Sequence, residues 1–202
     1  QLAYGKDVKL TVGAGKAADY DGLDAEKVKK ANNGSVADNM YYANLGAKIG
    51  VVDANVGYYK FEDVTALSDD NKIWTAGVAF PVLKDLKLSA VYLKSDVDTY
   101  NKKAIDDDGY VIGLDYKGAK AGVAGSYGIF AKYYDQAAGT FVAHTMEGEN
   151  FGVAADGFKG YMVGANYTFA KNIVGQVEWY DLEAKEGNKD SQTLWSQVVF
   201  TF

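Results

Sequence analysis

The 202-residue chain has few side chains that do covalent chemistry. It has no Cys and one His, His144. That removes disulfides, thiolate nucleophiles and multi-His metal centres together. No Gly-x-Ser-x-Gly elbow accompanies His144, so it has no activated serine to serve. Asp106-Asp107-Asp108-Gly109 lacks the spaced ligands and closing Glu of a calcium loop and reads as a solvated acidic turn. The alternating glycines from Gly122 to Gly128 are not followed by a helix pattern, so they are no phosphate loop. What remains is a set of isolated charges on otherwise strand-like segments: Lys9, Lys48, Lys87, Asp115, Lys117, Lys132 and Glu178. Charges spaced in this way set the electric field along a surface that solutes cross. The expectation is a protein that is not an enzyme and needs no cofactor or metal.

These charges sit on one parity of a repeated pattern. Ten segments alternate apolar residues with polar or small ones, the mark of strands with two unlike faces. The apolar parity runs from Val8 to Ala14, Tyr41 to Ile49, Ala54 to Tyr58, Trp74 to Phe80, Leu86 to Tyr92, Tyr110 to Tyr116, Ala121 to Ile129, Tyr161 to Phe169, Ile173 to Trp179 and Leu194 to Phe202. None of its positions is charged. The other parity holds the charges together with Asn, Thr, Ser, Gln and most strand glycines. Connections alternate short (50–53, 82–85, 117–120, 170–172) and long (19–39, 62–71, 95–107, 133–156, 182–190). Such alternation predicts an up-and-down antiparallel meander with every long loop at one end. The loop 133–156 carries Glu147 and Glu149. An extended hairpin pointing away is the favoured reading; the other folds it inward, with these two carboxylates opposing the lysines.

Composition alone points elsewhere. The net charge is −6 and the mean hydropathy −0.21, values of an ordinary acidic soluble domain. The acidity argues against nucleic acid as a partner. The longest uncharged apolar run, 76–83, is far short of the roughly 20 residues of a membrane-spanning helix. A membrane-spanning strand, however, shows lipid only every second residue, so its average hydropathy looks soluble. Aromatic placement separates the two cases. In the apolar parity, Tyr41, Tyr58, Trp74, Tyr92, Tyr110, Tyr127, Tyr161 and Trp179 are read at the long-loop end. Phe80, Tyr116, Tyr167, Phe169 and Phe200 are read at the short-turn end. Two aromatic girdles around an aliphatic band fit the two interfaces of a bilayer. The fold expected is therefore all-β: a transmembrane antiparallel up-and-down β-barrel, with residues 1–202 as one domain or the C-terminal portion of one.

The hairpin Gly164-Ala165-Asn166-Tyr167-Thr168-Phe169-Ala170-Lys171-Asn172, the following Val177-Glu178-Trp179-Tyr180-Asp181, the entry Lys6-Asp7-Val8-Lys9-Leu10-Thr11-Val12-Gly13 and the terminal Ser196-Gln197-Val198-Val199-Phe200-Thr201-Phe202 together resemble bacterial outer-membrane porins. They are most like the barrel region of S-layer-homology-tethered porins of diderm bacteria. The resemblance implies outer-membrane localisation, a homotrimer of larger barrels of about 16 strands, and passive diffusion of small hydrophilic solutes and ions. It also implies that the C-terminal aromatic, Phe202, is the signal read by the barrel-assembly machinery. Two departures stand against a general porin. There is no Arg for a basic constriction wall, and ten strands are too few. The chain is thus either part of a larger barrel, the favoured reading, or a complete small one. The competing function is a non-conducting structural or adhesive barrel that acts through acidic extracellular loops. A soluble ligand-binding barrel with its apolar parity inward is a third class. Arg placed at Leu114 or Val163 should oppose membrane insertion by about 2–4 kcal/mol if the apolar parity faces lipid. Refolding titrations into lipid vesicles measure this, and no effect at either site would mean that the faces are inverted.

Overall fold

The computed structural model describes residues 2–4, 7–16, 39–64, 69–100, 103–141, 157–185 and 188–202. Its strands in chain order are β1 (Leu2–Tyr4), β2 (Val8–Lys16), β3 (Asn39–Ile49), β4 (Val52–Val64), β5 (Asp69–Leu83), β6 (Leu86–Ser95), β7 (Thr99–Tyr100), β8 (Lys103–Ala104), β9 (Asp108–Lys117), β10 (Tyr127–Gln136), β11 (Phe158–Ala170), β12 (Ile173–Ala184) and β13 (Asp190–Phe200). Eleven of them form one sheet in the order β1-β2-β3-β4-β5-β6-β9-β10-β11-β12-β13. Every pairing in it is antiparallel. The small hairpin β7–β8 lies within the connection from β6 to β9. The ten long strands expected from the alternation are all present, in meander order, and β1 and β13 are the edges of the sheet.

The tight turns follow from residues that tolerate left-handed backbone. Gly50, between β3 and β4, has φ 62°. Asp85 and Asn172 have φ 65° and 66° and stand beside register shifts at Pro81/Leu83 and Thr168/Ala170. This is the bulged hairpin form in which a left-handed residue follows the turn, a place where Asp and Asn are at home.

One segment differs from the sequence reading. The seventh long strand was expected to start at Ala121; β10 starts at Tyr127, and residues 118–126 form a turn. Gly125 there has φ 82°, which a strand does not allow. The Ser126 Oγ accepts from the Lys120 N–H and sits 2.7 Å from the Val123 carbonyl, locking the turn shut. The small residues of this stretch alternate by composition, but they offer almost no side chain to hold a strand. The shift also corrects a girdle assignment. Tyr127 lies at the short-turn end, paired with Tyr167, not at the long-loop end. Tyr133 takes the long-loop place, between Ile112 and Tyr161 in register, with its ring 6.1 Å from that of Tyr110.

The two faces are unlike. On the apolar face, Leu10, Leu45, Val56, Val78, Ile112, Leu114, Ile129, Val163, Val177, Leu194 and Val198 are exposed, as are most of the girdle rings. The aliphatic band between the girdles runs obliquely to the pairing direction. One row of directly paired residues reads Leu10, Leu45, Val56, Ala76, Tyr92, Tyr110, Asp135, Lys159, Glu183 and Asp190. It starts near the short-turn end of β2 and finishes at the long-loop end of β13. A band that stays level must therefore step along each successive strand, so the strands are tilted relative to it.

The buried core lies on the opposite, polar-parity face. Phe158, Met162, Tyr180, Leu182, Tyr134, Phe141 and Ala184 form one cluster, with Val111, Phe130 and Trp195 packed against it. The Phe130 ring occupies the space over Gly164 that a Cβ would need. Phe158 is fully buried, and its ring meets Phe141 edge-on at 4.9 Å. Phe158→Ala should cost about 3–5 kcal/mol of stability, read as a lower urea midpoint at unchanged slope.

Candidate functional site

The polar face is built row by row from the registers. Toward the short-turn end, Lys48 pairs with Asp53 and Lys87 with Asp115. The Lys87 Nζ also reaches Asp53 at 3.4 Å. Asp7 lies beside this band, its carbonyl accepting from the Lys48 N–H at 3.1 Å. Charges of alternating sign thus run from Asp7, just before β2, across β3, β4, β6 and β9, stepping two residues along the strands between Asp53 and Lys87. The Lys87–Asp53 pair is about half exposed, so it holds the side chains in place with little net energy. Lys9, Lys48 and Lys132 have no ion pair among the described residues. The turn 118–126 stands across from the β3–β4 and β5–β6 hairpins. Between them lies an open cavity of about 1210 Å³ that Lys48, Asp53, Lys87, Asp115 and Lys120 help to line.

Of the seven charges singled out from the sequence, Lys48, Lys87 and Asp115 come together in this band, with Lys9 and Lys132 farther along the same face. Lys117 lines the same cavity, with its side chain held against the neighbouring rings. It ends β9 with φ 57°, donates to the Tyr127 hydroxyl at 3.0 Å and lies over the Tyr116 and Tyr127 rings. Its ammonium caps the short-turn girdle, with the apolar stem lying along the rings. Glu178 is buried, accepting from the Tyr180 hydroxyl and from the Gln176 amide at 2.7 Å. It belongs to the packed half of the face. Asp53, which completes the band, was missed because the alternation reads it as the last residue of the turn 50–53, whereas it lies within β4; Asp7 falls on the polar parity but was not singled out among the charges.

The polar face divides into two halves. Over β2 to β4 and the short-turn halves of β5 and β6 it is open and floored by glycines. Over β9 to β13 it is covered at the long-loop end by the start of the loop after β10. Residues 137–141 are all buried and include a 3-10 turn, Ala138–Thr140. The favoured expectation for this loop was a hairpin pointing away; its first residues instead turn onto the face. The Asn71 amide donates to the Gly139 carbonyl at 2.9 Å, and the Ser95 hydroxyl sits 2.9 Å from the Asn71 Oδ1. Asn71 is 2% exposed. The strap thus reaches from β10 across to β5 and β6, and Phe141 then returns it to the Phe158 cluster. The apolar cluster supplies the pull, and the Asn71–Ser95 pair satisfies the strap's buried backbone. Glu147, Glu149 and His144 lie outside the described residues.

Outside the long-loop girdle, charges appear in pairs on the apolar-parity side. Lys60 meets Glu62 and Asp70, Lys72 meets Asp96, and Lys159 meets Glu183. The three consecutive aspartates take separate partners: Asp106 bonds Lys185, Asp107 bonds Lys94, and Asp108 accepts from the Tyr92 hydroxyl. Lys185 also bonds Asp135 at 2.7 Å. Burial alone would lower the Lys185 pKa, but the hydrogen bonds to Asp135 and Asp106 outweigh it and raise it above the ordinary lysine value. The bridge therefore keeps its charge until the solution is more alkaline than free lysine requires.

The chain matches no family model and no curated protein. Asn71→Ala leaves the Gly139 carbonyl and the Ser95 hydroxyl without their partner. The expected loss is about 1–3 kcal/mol, together with new protease cleavage at residues 137–141. An unchanged digestion pattern would mean that the strap is held by Phe141 alone.

Proposed function

We propose that the chain is an outer-membrane β-barrel that acts as a porin, passing small hydrophilic solutes and ions along its polar face. The observation that carries this reading is the exposed apolar band, edged by aromatic rings and oblique to the strand pairing. An exposed apolar surface of this extent calls for an apolar cover. Lipid supplies one of uniform thickness, and tilted strands present a level band to it. A soluble ligand-binding barrel needs the same side chains inside, which is the opposite of their exposure here.

On this reading the polar face borders a water-filled lumen. Solutes are sieved by its width and biased by Lys9, Lys48, Lys87, Asp115 and Lys132. The strap and the aromatic cluster narrow the β9–β13 side, so the conducting path follows the glycine-floored wall of β2 to β6. Glycine there keeps the wall thin, which is its use in a lumen and would be a cost in a soluble sheet. The partner this reading requires is outer-membrane lipid, and the porin likeness adds the assembly machinery that inserts barrels. A homotrimer and a larger strand count are the assembly that the porin likeness implies. The competing reading, a structural or adhesive barrel, draws on the packed cluster over β9 to β13 and the acidic residues of the long-loop end.

Planar-bilayer recording separates the two. A porin gives ohmic steps. Joint replacement of Lys9, Lys48 and Lys87 by Glu should move the zero-current potential in a KCl gradient toward cation preference. A protein that inserts but stays silent would sink the porin reading in favour of the structural one.

A further inference from the structure

The apolar face carries a depression that sieving does not use. It lies over β10 to β13 near the short-turn end. One register row there reads Tyr127, Tyr167, Gly175 and Val198, and the next row reads Ile129, Ala165, Val177 and Ser196. Gly175, Ala165 and Ser196 are the small members of these rows. The larger side chains around them wall a groove of about 640 Å³, within the size range of small-molecule sites. Tyr167 and Phe169 make one wall, their rings edge-on at 5.3 Å, and Phe169 lies over Gly175 where a Cβ would stand. Ile129, Phe169 and Val198 are each more than half exposed, so nothing among the described residues covers the groove.

The end of the groove nearest the short turns is basic. Tyr127 lines the groove, and its hydroxyl accepts from the Lys117 Nζ at 3.0 Å. That bond uses one of the three ammonium donors and leaves two. Lys120 stands on the turn 118–126 that leads into Tyr127, and Lys171 on the hairpin that follows Phe169. The Asn172 N–H ties these two connections together, donating to the Ala121 carbonyl at 2.7 Å. Lys117, Lys120 and Lys171 have no ion pair among the described residues. Asp85 meets Lys117 main chain to main chain, its carbonyl accepting from the Lys117 N–H at 2.7 Å. Asp115 stands opposite Lys87 in register. The corner is left with an excess of positive charge.

We propose that this groove holds one anionic phospholipid, with an acyl chain lying between Tyr127, Ile129, Tyr167 and Val198 and the phosphate on Lys117. Lys120 and Lys171 add to the field that draws the headgroup. The wall changes from apolar side chains to ammonium groups at the short-turn girdle, the level where a bilayer changes from hydrocarbon to headgroup. A lipid makes the same change within one molecule. A peptide segment laid here would bring backbone N–H and C=O groups to a wall that offers them few partners. The excess of lysine favours a lipid of net negative charge over a zwitterionic one. The inference rests on the transmembrane reading, which sets the short-turn girdle at a headgroup layer, and not on conduction.

The test is native mass spectrometry of the detergent-folded full chain with dioleoylphosphatidylglycerol or dioleoylphosphatidylcholine at equal concentration. One retained phosphatidylglycerol per chain is expected, favoured about fivefold or more over phosphatidylcholine. Lys117→Gln with Lys171→Gln, both at exposed positions, should cut that retention about tenfold or more and remove the preference. Ala165→Phe fills the groove and should cut retention of both lipids. Equal retention of the two lipids by the unaltered chain overturns the subsite, and so does unchanged retention by the lysine pair. Glycerol 3-phosphate held as well as the whole lipid overturns it too, because the groove then contributes nothing. An oligomer that excludes lipid and that Ala165→Phe dissociates overturns it in favour of a second copy. Conductance in KCl is recorded on the same preparations. Current steps without phosphatidylglycerol retention sink the subsite and leave the porin reading standing. Retention without current steps sinks the porin reading and keeps the subsite.

Discussion

The structure depends on the register between antiparallel strands. Side chains alternate across a sheet with period two, so a slip of one residue in any pairing would send an aromatic girdle to the polar side and a row of charges to the apolar side. Ten long strands hold one register set through tight turns at Gly50, Asp85 and Asn172. That register lines up Lys48 with Asp53 and Lys87 with Asp115, and Tyr42 with Tyr59. It also makes the apolar band oblique, because each hairpin adds a small stagger in the same sense. The tilt and the two faces are consequences of the same pairings.

The core in this chain lies away from the apolar parity. A soluble sheet buries its apolar parity, whereas here the aliphatic band is exposed and the packed cluster of Phe158, Met162, Tyr180 and Leu182 lies on the polar-parity face. The cluster is local. It forms where β10 to β13 bring large side chains to one end of the face, and the strap adds Phe141 to it. The rest of that face keeps glycine, Asn and charge. The division between a filled half and an open half bears most directly on the proposed function, since only the open half has room for a solute and its water.

Much of this was legible in the residues. Alternation located the ten long strands, one of them with its start misplaced, together with the meander order and the two faces. It also grouped Lys48, Lys87 and Asp115 on one side. Residues 118–126 misled because small residues alternate without supplying any strand-forming contact, and what decides their shape is Gly125 in left-handed backbone together with the Ser126 hydroxyl. That error carried Tyr127 to the wrong girdle and hid Tyr133. The strap was illegible for a different reason. Its anchor, Asn71, lies 68 residues from Gly139 in the chain, and no local pattern connects them.

The sequence by itself determined the period of the chain, and with it an antiparallel meander with one uncharged face and one polar, glycine-rich face, because those properties depend on neighbours two residues apart. Only the tertiary structure decided which residues meet across strands. It placed Lys117 over the short-turn rings, buried Glu178 against Tyr180, drew residues 137–141 onto the polar face and stacked Tyr42 with Tyr59. Each of these depends on contacts between segments distant in the chain, and register and packing select such contacts where local alternation is silent.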